Sequence, residues 1–330
     1  GVSDFGARRA HNMDAAIYGA RASYIGGVNG TATVSAGQMF GIPVGGTHAH
    51  SWVMEHSDEL TAFRSYAKVF PNNCTLLVDT YDVLKSGVPN AIKVFQEMKD
   101  AGIPLTRYGI RLDSGDLAYL SRKARKMLDE AGLPDCKIVA SNALDEYIIR
   151  DLLTQGAQID AFGVGERLIT SKSSPVFGGV YKLAAVEDGN GNIIPKIKIS
   201  ENPEKVTTPH FKKVFRLIER ETGKAIADYI TVHDETVDET KPLTIFDPNF
   251  TWKSKTLTDF YAIELQKPIF RNGQLVYKLP TTEEIRKYCS EQMDMQWDEI
   301  KRFENPHNYY VDLSPKLWDT KQLMLHGLTR

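Results

Sequence analysis

Cysteine is scarce in this chain. Its three residues, Cys74, Cys136 and Cys289, are odd in number and lack CxxC or Cys/His ligand spacing. That pattern argues against a disulfide framework and a zinc site, and points to a reducing cytoplasm. A surplus of one charge is missing too: 40 Lys and Arg stand against 42 Asp and Glu, a formal net charge of −2. Such a chain has no general pull toward nucleic acid or an anionic membrane, so any anion site must be built locally. No apolar run approaches the roughly 20 residues needed to span a bilayer, and no signal-peptide pattern is present. What is left is an ordinary globular composition, 330 residues with 42% hydrophobic and 25% charged content. That is enough for one large domain or two smaller ones. The opening GVSDFGARRA lacks an initiator Met and enters at once into a dense polar motif; we expect an upstream N-terminal domain to be absent from this chain.

From Asp14 to about residue 180, short β-rich runs alternate with helical patterns. The runs are 75-TLLVD-79, 108-YGIRLD-113, 137-KIVAS-141 and 159-IDAFGVG-165. Between them, 88-VPNAIKVFQEMKDAG-102, 117-LAYLSRKARKMLDEAG-132 and 144-LDEYIIRDLLTQG-156 carry apolar residues at helical spacing with Gly at or past the end. Repeated strand–helix units predict a parallel sheet. Its strand ends carry Asp79 with Asp82, Arg111 with Asp113 and Asp116, Ser141 with Asn142, and 163-GVG-165. Loops after the strands' C-terminal ends form the ligand crevice of such folds, so these groups are expected to converge. Past residue 180 hairpin patterns appear at 186–194, 215–232 and 269–277, with Gly-Asn and Thr-Gly turn signals. The tail from Thr281 reads as helical and then extended. A boundary is expected near residue 200, in the polar run 200-SENPEKVTTP-209.

Four local constellations carry chemistry. In 5-FGARRA-10, Arg8 and Arg9 can clamp a phosphate or carboxylate and Phe5 can stack on a planar ring, although paired arginines also suit a solvated surface. In 46-GTHAH-50, alternation puts His48 and His50 on one face if the segment is extended; metal ligation, a single catalytic histidine oriented by Asp79, and a core histidine all fit. In 111-RLDSGD-116 the Arg can neutralise an anion. Asp113 can hold a ribose hydroxyl pair, a magnesium ion or an incipient cation, while helix capping explains the acids equally well. In 162-FGVGERLITSKSS-174 two glycines expose backbone N–H groups where a strand turns into a short helix, a phosphate cradle of the late-strand type found in βα barrels.

Taken together, DFGARRA, GGVNGTATVSAGQ, GTHAHSW, LVDTYD, GIRLDSGD, ASNALDE, FGVGERLITS, FGGVYKL and the closing KRFENPHNYYVDLSPKLWDTK resemble the bacterial nicotinate phosphoribosyltransferases, in order and from end to end. The resemblance implies the irregular α/β barrel of type II phosphoribosyltransferases with an additional α+β C-terminal portion. The barrel would occupy residues 1–200, and residues 201–330 would pack with the missing N-terminal domain. It implies a cytoplasmic homodimer with shared active sites that takes nicotinate, phosphoribosyl pyrophosphate and ATP, with Mg2+, and binds neither nucleic acid nor membrane.

The same resemblance distributes roles. Phe5 would stack on the pyridine ring and Arg8 would lie near the phosphates. Thr47 and Arg111 would meet nicotinate, and His50 would be transiently phosphorylated by ATP with Asp79 orienting it. Asp113 would contact the ribose or stabilise its positive charge, while Ser141, Asn142, Gly165 and Glu166 would line the 5′-phosphate site. The residue chemistry agrees: displacing pyrophosphate from C1 of ribose builds oxocarbenium character, which calls for a carboxylate near that carbon and positive charge on the leaving group. Ala32 stands where relatives that use the amide carry an Asp, which favours the acid over nicotinamide. Glu166 beside a phosphate turn must point its carboxylate away. The alternatives are the same chemistry on nicotinamide or quinolinate, or a non-catalytic nucleotide- or phosphate-binding barrel.

Overall fold

The aliphatic runs of the first half pair into one sheet in the computed structural model, which describes residues 1–202 and 205–328. Its strands are β1 (Val2–Asp4), β2 (Gly30–Thr31), β3 (Cys74–Leu77), β4 (Tyr108–Leu112), β5 (Lys137–Ala140) and β6 (Ala161–Val164). They run in the order β2-β1-β6-β5-β4-β3, and all are parallel. The result is a half-barrel. Its helices are α1 (Met13–Ile25), α2 (Val34–Phe40), α3 (His50–Glu55), α4 (Glu59–Val69), α5 (Val88–Asp100), α6 (Leu117–Glu130), α7 (Glu146–Thr154) and α8 (Glu166–Ile169).

Local chemistry accounts for where the long helices start. Asn12, Asp58, Asp116 and Asp145 each accept a backbone N–H three residues on, opening α1, α4, α6 and α7. The helix-facing sides of β3, β4 and β5 place Leu76, Ile110, Leu112 and Ile138 in one core with Phe95 of α5 and Leu128 of α6, all fully buried. Each such side chain contributes about 1.5–3 kcal/mol by leaving water.

Contacts divide the chain into two compact units, one of Gly1–Phe177 with Pro280–Cys289, the other of Gly178–Leu279 with Ser290–Arg330. The division therefore falls at Phe177 and not near residue 200. His210, beyond the polar run 200–209, donates its N–H to the Ala184 carbonyl at 2.8 Å and so ties that run's far end to the second unit. Pro203 and Glu204 of the run lie outside the described residues. Pro280–Cys289 joins the first unit because the Arg286 guanidinium lies 4.3 Å from the centre of the Tyr24 ring and caps the carbonyls of Tyr24, Gly27 and Val28.

The second unit holds the short pairs β7 (Ala185–Glu187) with β8 (Ile193–Pro195), β11 (Leu243–Phe246) with β12 (Ser254–Leu257), and β14 (Phe270–Arg271) with β15 (Gln274–Leu275). Its main sheet takes β9 (Lys212–Glu219), β10 (Ala225–Val232), β13 (Phe260–Glu264) and β16 (Tyr310–Leu313) in the order β13-β9-β10-β16. The tail from Thr281 is helical in α9 (Thr282–Asp294) and extended in β16, but ends in a further helix, α10 (Pro315–Leu328). Among the described residues no helix is long and apolar enough to cross a membrane.

Candidate active site

The C-terminal ends of β1, β3, β4, β5 and β6 open onto a cavity of about 520 Å³, within the range of small-molecule sites. Phe5, Arg8, Thr47, Arg111, Ser141 and Asn142 line it. So do His50, Asp113, Gly165 and Glu166, so the constellations quoted from four separate stretches of sequence share one space.

Arg111 is its organising group. On β4 and mostly buried, it donates from Nε to Ser141 Oγ at 2.7 Å, from Nη1 to Thr47 Oγ1 at 2.8 Å and from Nη2 to Asp113 Oδ1 at 2.9 Å. A guanidinium has five N–H groups, so two remain. The Phe5 ring centre lies 5.5 Å from its central carbon. That ring sits over Gly163, where an added Cβ would fall 2.4 Å from it; the first glycine of the turn is there to admit an aromatic ring.

Asp113 lies just past β4. Burial by itself raises its pKa, but the Ser141 hydroxyl bonded to it and the Arg111 charge outweigh that and hold it below the ordinary carboxylate range. Of the two acids in 113-DSGD-116, Asp116 is the helix cap and Asp113 faces the cavity, so capping and chemistry are split between them. Asp79, past the end of β3, is 1% exposed. Its Oδ2 accepts the Asp113 N–H at 3.0 Å and the Ser114 hydroxyl at 2.5 Å, while Oδ1 is buried with no hydrogen-bond partner.

His48 and His50 do not share a face. Residues 45–49 form no strand and α3 begins at His50, so the two rings diverge. His48 turns into the protein, takes the Leu77 N–H on Nε2 at 3.1 Å and lies edge-on to Tyr66. Desolvation lowers its pKa to about 4, which keeps it neutral. His50, 40% exposed, has Nδ1 3.1 Å from Thr80 Oγ1; its Nε2 lies 3.6 Å from Asp113 Oδ2 and 3.8 Å from Asp79 Oδ1. Asp79 thus stands in ion-pair range of His50 while its hydrogen bonds go to the Asp113 segment.

At the glycine turn, Glu166 points its carboxylate to Arg9, 3.8 Å away, and Arg167 pairs with the helix cap Asp145. Asn142 adopts a left-handed φ of 121°, and its side-chain oxygen accepts the Ala143 N–H. Lys172 also lines the cavity. Six residues after Glu166 in the stretch 162–174, it is a cation within reach of the glycine turn that the sequence already signals.

Two family models match the chain: the nicotinate phosphoribosyltransferase (NAPRTase) family over residues 1–229, and the nicotinate phosphoribosyltransferase C-terminal domain over residues 211–321. A nicotinate phosphoribosyltransferase of Bacillus subtilis is 50% identical over 323 residues, covering 98% of this chain and 65% of that protein. One of Dictyostelium discoideum is 35% identical over 378 residues, covering 98% and 62%. The chain therefore spans less than two thirds of these relatives. The crystal structure of human nicotinic acid phosphoribosyltransferase superposes with a TM-score of 0.78 at 26% identity, over 100% of this chain and 70% of that one. A nicotinate-nucleotide pyrophosphorylase from Pyrococcus furiosus shares the fold, with a TM-score of 0.62 at 22% identity over 89% of this chain and 66% of that one.

Proposed function

The chain belongs to the nicotinate phosphoribosyltransferase family, and from that premise we propose that it joins nicotinate to the phosphoribosyl group of phosphoribosyl pyrophosphate. The products are nicotinate mononucleotide and pyrophosphate, and ATP hydrolysis is coupled to the transfer through a phosphohistidine at His50. One observation carries the reading: the bonded pair Arg111–Asp113 shares a single cavity with His50 and the Gly163–Gly165 turn.

The two spare N–H groups of Arg111 suit the nicotinate carboxylate, with the Phe5 ring beside them for the pyridine. As the ring nitrogen attacks C1 of the ribose and pyrophosphate leaves, positive charge grows on the sugar. Asp113, held ionised, is the carboxylate to oppose it. Arg8 and Lys172 are the cations suited to phosphate oxygens, and the Glu166 carboxylate is already turned to Arg9.

At His50 the two carboxylates face Nε2, which favours the proton there and leaves the lone pair of Nδ1 to accept the phosphoryl group of ATP. Magnesium fits as a companion of the phosphates. Among the described residues no three His, Cys, Asp or Glu are arranged to hold a metal ion by themselves, but Asp79 Oδ1 and Asp113 supply the one or two carboxylates that a phosphate-bound Mg2+ needs. When bound it would neutralise charge on the leaving pyrophosphate.

Ala32 lines the cavity with no carboxylate to repel an acid substrate, which supports nicotinate over the amide. A cytoplasmic setting is supported by the three free cysteines, and a homodimer by the exposed apolar run that includes Phe177 and Tyr181.

The test is a radiolabelled-nicotinate assay with phosphoribosyl pyrophosphate, with and without ATP. Labelled mononucleotide is expected, with more of it when ATP is present; no product from the full-length protein overturns the reading. Intact mass after incubation with ATP is expected to show one phosphate that is missing in His50→Ala.

A further inference from the structure

The second unit has a cavity of its own, also about 520 Å³, lined by β16, the β11–β12 pair and residues 297–310. Asp312 and Tyr310, two apart on β16, face one way and pair across to Tyr229 and Ala227 of β10. That face carries the apolar core of the unit, with Phe215, Leu217 and Phe260. A carboxylate is out of place there, yet Asp312 is 4% exposed. Its carboxylate makes no hydrogen bond and no ion pair among the described residues, and Lys253 and Lys255, which line the same cavity, do not reach it. Asp247, also on the lining, adds a second negative charge; one of its oxygens accepts the Asn249 and Phe250 N–H groups.

A buried carboxylate without a partner is costly to keep, and the cost is relieved by a cation entering the cavity. A bare metal ion is poorly served, since no third His, Cys, Asp or Glu joins the pair in a metal-binding arrangement among the described residues. Trp297, Tyr309 and Tyr310 on the walls suit a planar delocalised cation, which stacks on rings while giving paired N–H groups to a carboxylate.

We propose that this cavity is a binding site for a guanidinium group, with Asp312 as its anionic anchor and Asp247 as a second acceptor. It is independent of the phosphoribosyl reaction, whose residues all lie in the other unit. The cation is either a free small molecule or an arginine side chain of a polypeptide, and the two sources present the same chemistry to Asp312.

Isothermal titration of the whole chain with agmatine, and in parallel with the blocked peptide acetyl-Gly-Arg-Gly-amide, tests this. Saturable one-to-one binding of at least one probe is expected. The tighter of the two identifies the source. Loss of a charge-assisted hydrogen bond weakens binding by about 10-fold or more, the effect expected of Asp312→Asn. Asp247→Asn, whose loop lies at the cavity edge, is expected to weaken it less and serves if the first variant does not fold. Asp113→Asn, in the other cavity, is expected to leave the titration unchanged. Absence of saturable binding by both probes overturns the proposal, as does binding equal to wild type in both Asp312→Asn and Asp247→Asn.

Discussion

The imidazole of His48 accepts the backbone N–H of Leu77 at 3.1 Å. β3 is the last strand of its sheet, so this N–H has no neighbouring strand to bond, and the histidine stands in for one. The bond exists only while His48 is neutral. Its folded pKa of about 4 lies below the ordinary value of 6.5, so the stabilisation is complete above pH 6.5 and is lost as pH falls from there toward 4. Urea unfolding at pH 7 and pH 5 is expected to differ by about 2 kcal/mol from this group. His48→Gln, which keeps an acceptor and cannot charge, is expected to flatten that difference; an unchanged slope in the variant refutes the assignment.

Asp79 holds the Asp113 N–H and the Ser114 hydroxyl on one oxygen, and an alanine in its place leaves both donors without that acceptor. Asp79→Ala is expected to let the Asp113 segment shift and to lower kcat by about 100-fold, since a displaced catalytic group costs that much. Circular dichroism is expected to stay native. The phosphate adduct at His50 is expected to fall with kcat, because both carboxylates facing its Nε2 are disturbed together.

A methyl group on residue 163 would overlap the Phe5 ring, 2.4 Å away. Gly163→Ala is expected to push that ring off its place beside Arg111 and raise KM for nicotinate by about 10-fold, the loss of an aromatic contact worth roughly 1 kcal/mol or more. KM for phosphoribosyl pyrophosphate is expected to change little. Equal changes in both constants would contradict the placement of the ring.

Ala32 lies on the cavity wall. Ala32→Asp is expected to lower kcat/KM for nicotinate by about 10- to 100-fold through like-charge repulsion and to shift preference toward nicotinamide. Competition between the two substrates in one reaction measures the ratio directly. A ratio that does not move removes residue 32 from the specificity argument.

The three strand–helix units that open with β3, β4 and β5 were legible because each carries its own signal, an aliphatic run, an amphipathic stretch and a Gly at or past the end, and β6 was legible by its aliphatic run. The polar strand ends were legible for the same reason, since topology alone brings residues such as Arg111, Ser141 and Gly165 together. What depends on distant contacts was not. His48 and His50 look equivalent in 46-GTHAH-50, and only the start of α3 separates them. The split of roles between Asp113 and Asp116 depends on which one Arg111 and Ser141 reach. The unit boundary at Phe177 follows from pairings such as His210 with Ala184, which no local composition announces. Buried Asp312 reads as one more polar residue in an extended stretch until its neighbours on β10 are known.

The Arg111 fork is clamped on three sides, by Thr47, Asp113 and Ser141. A free arginine gives up rotamer freedom worth about 2 kcal/mol when it seizes an anion. Here that freedom is surrendered once, as the chain folds, and an arriving carboxylate finds its cradle already motionless.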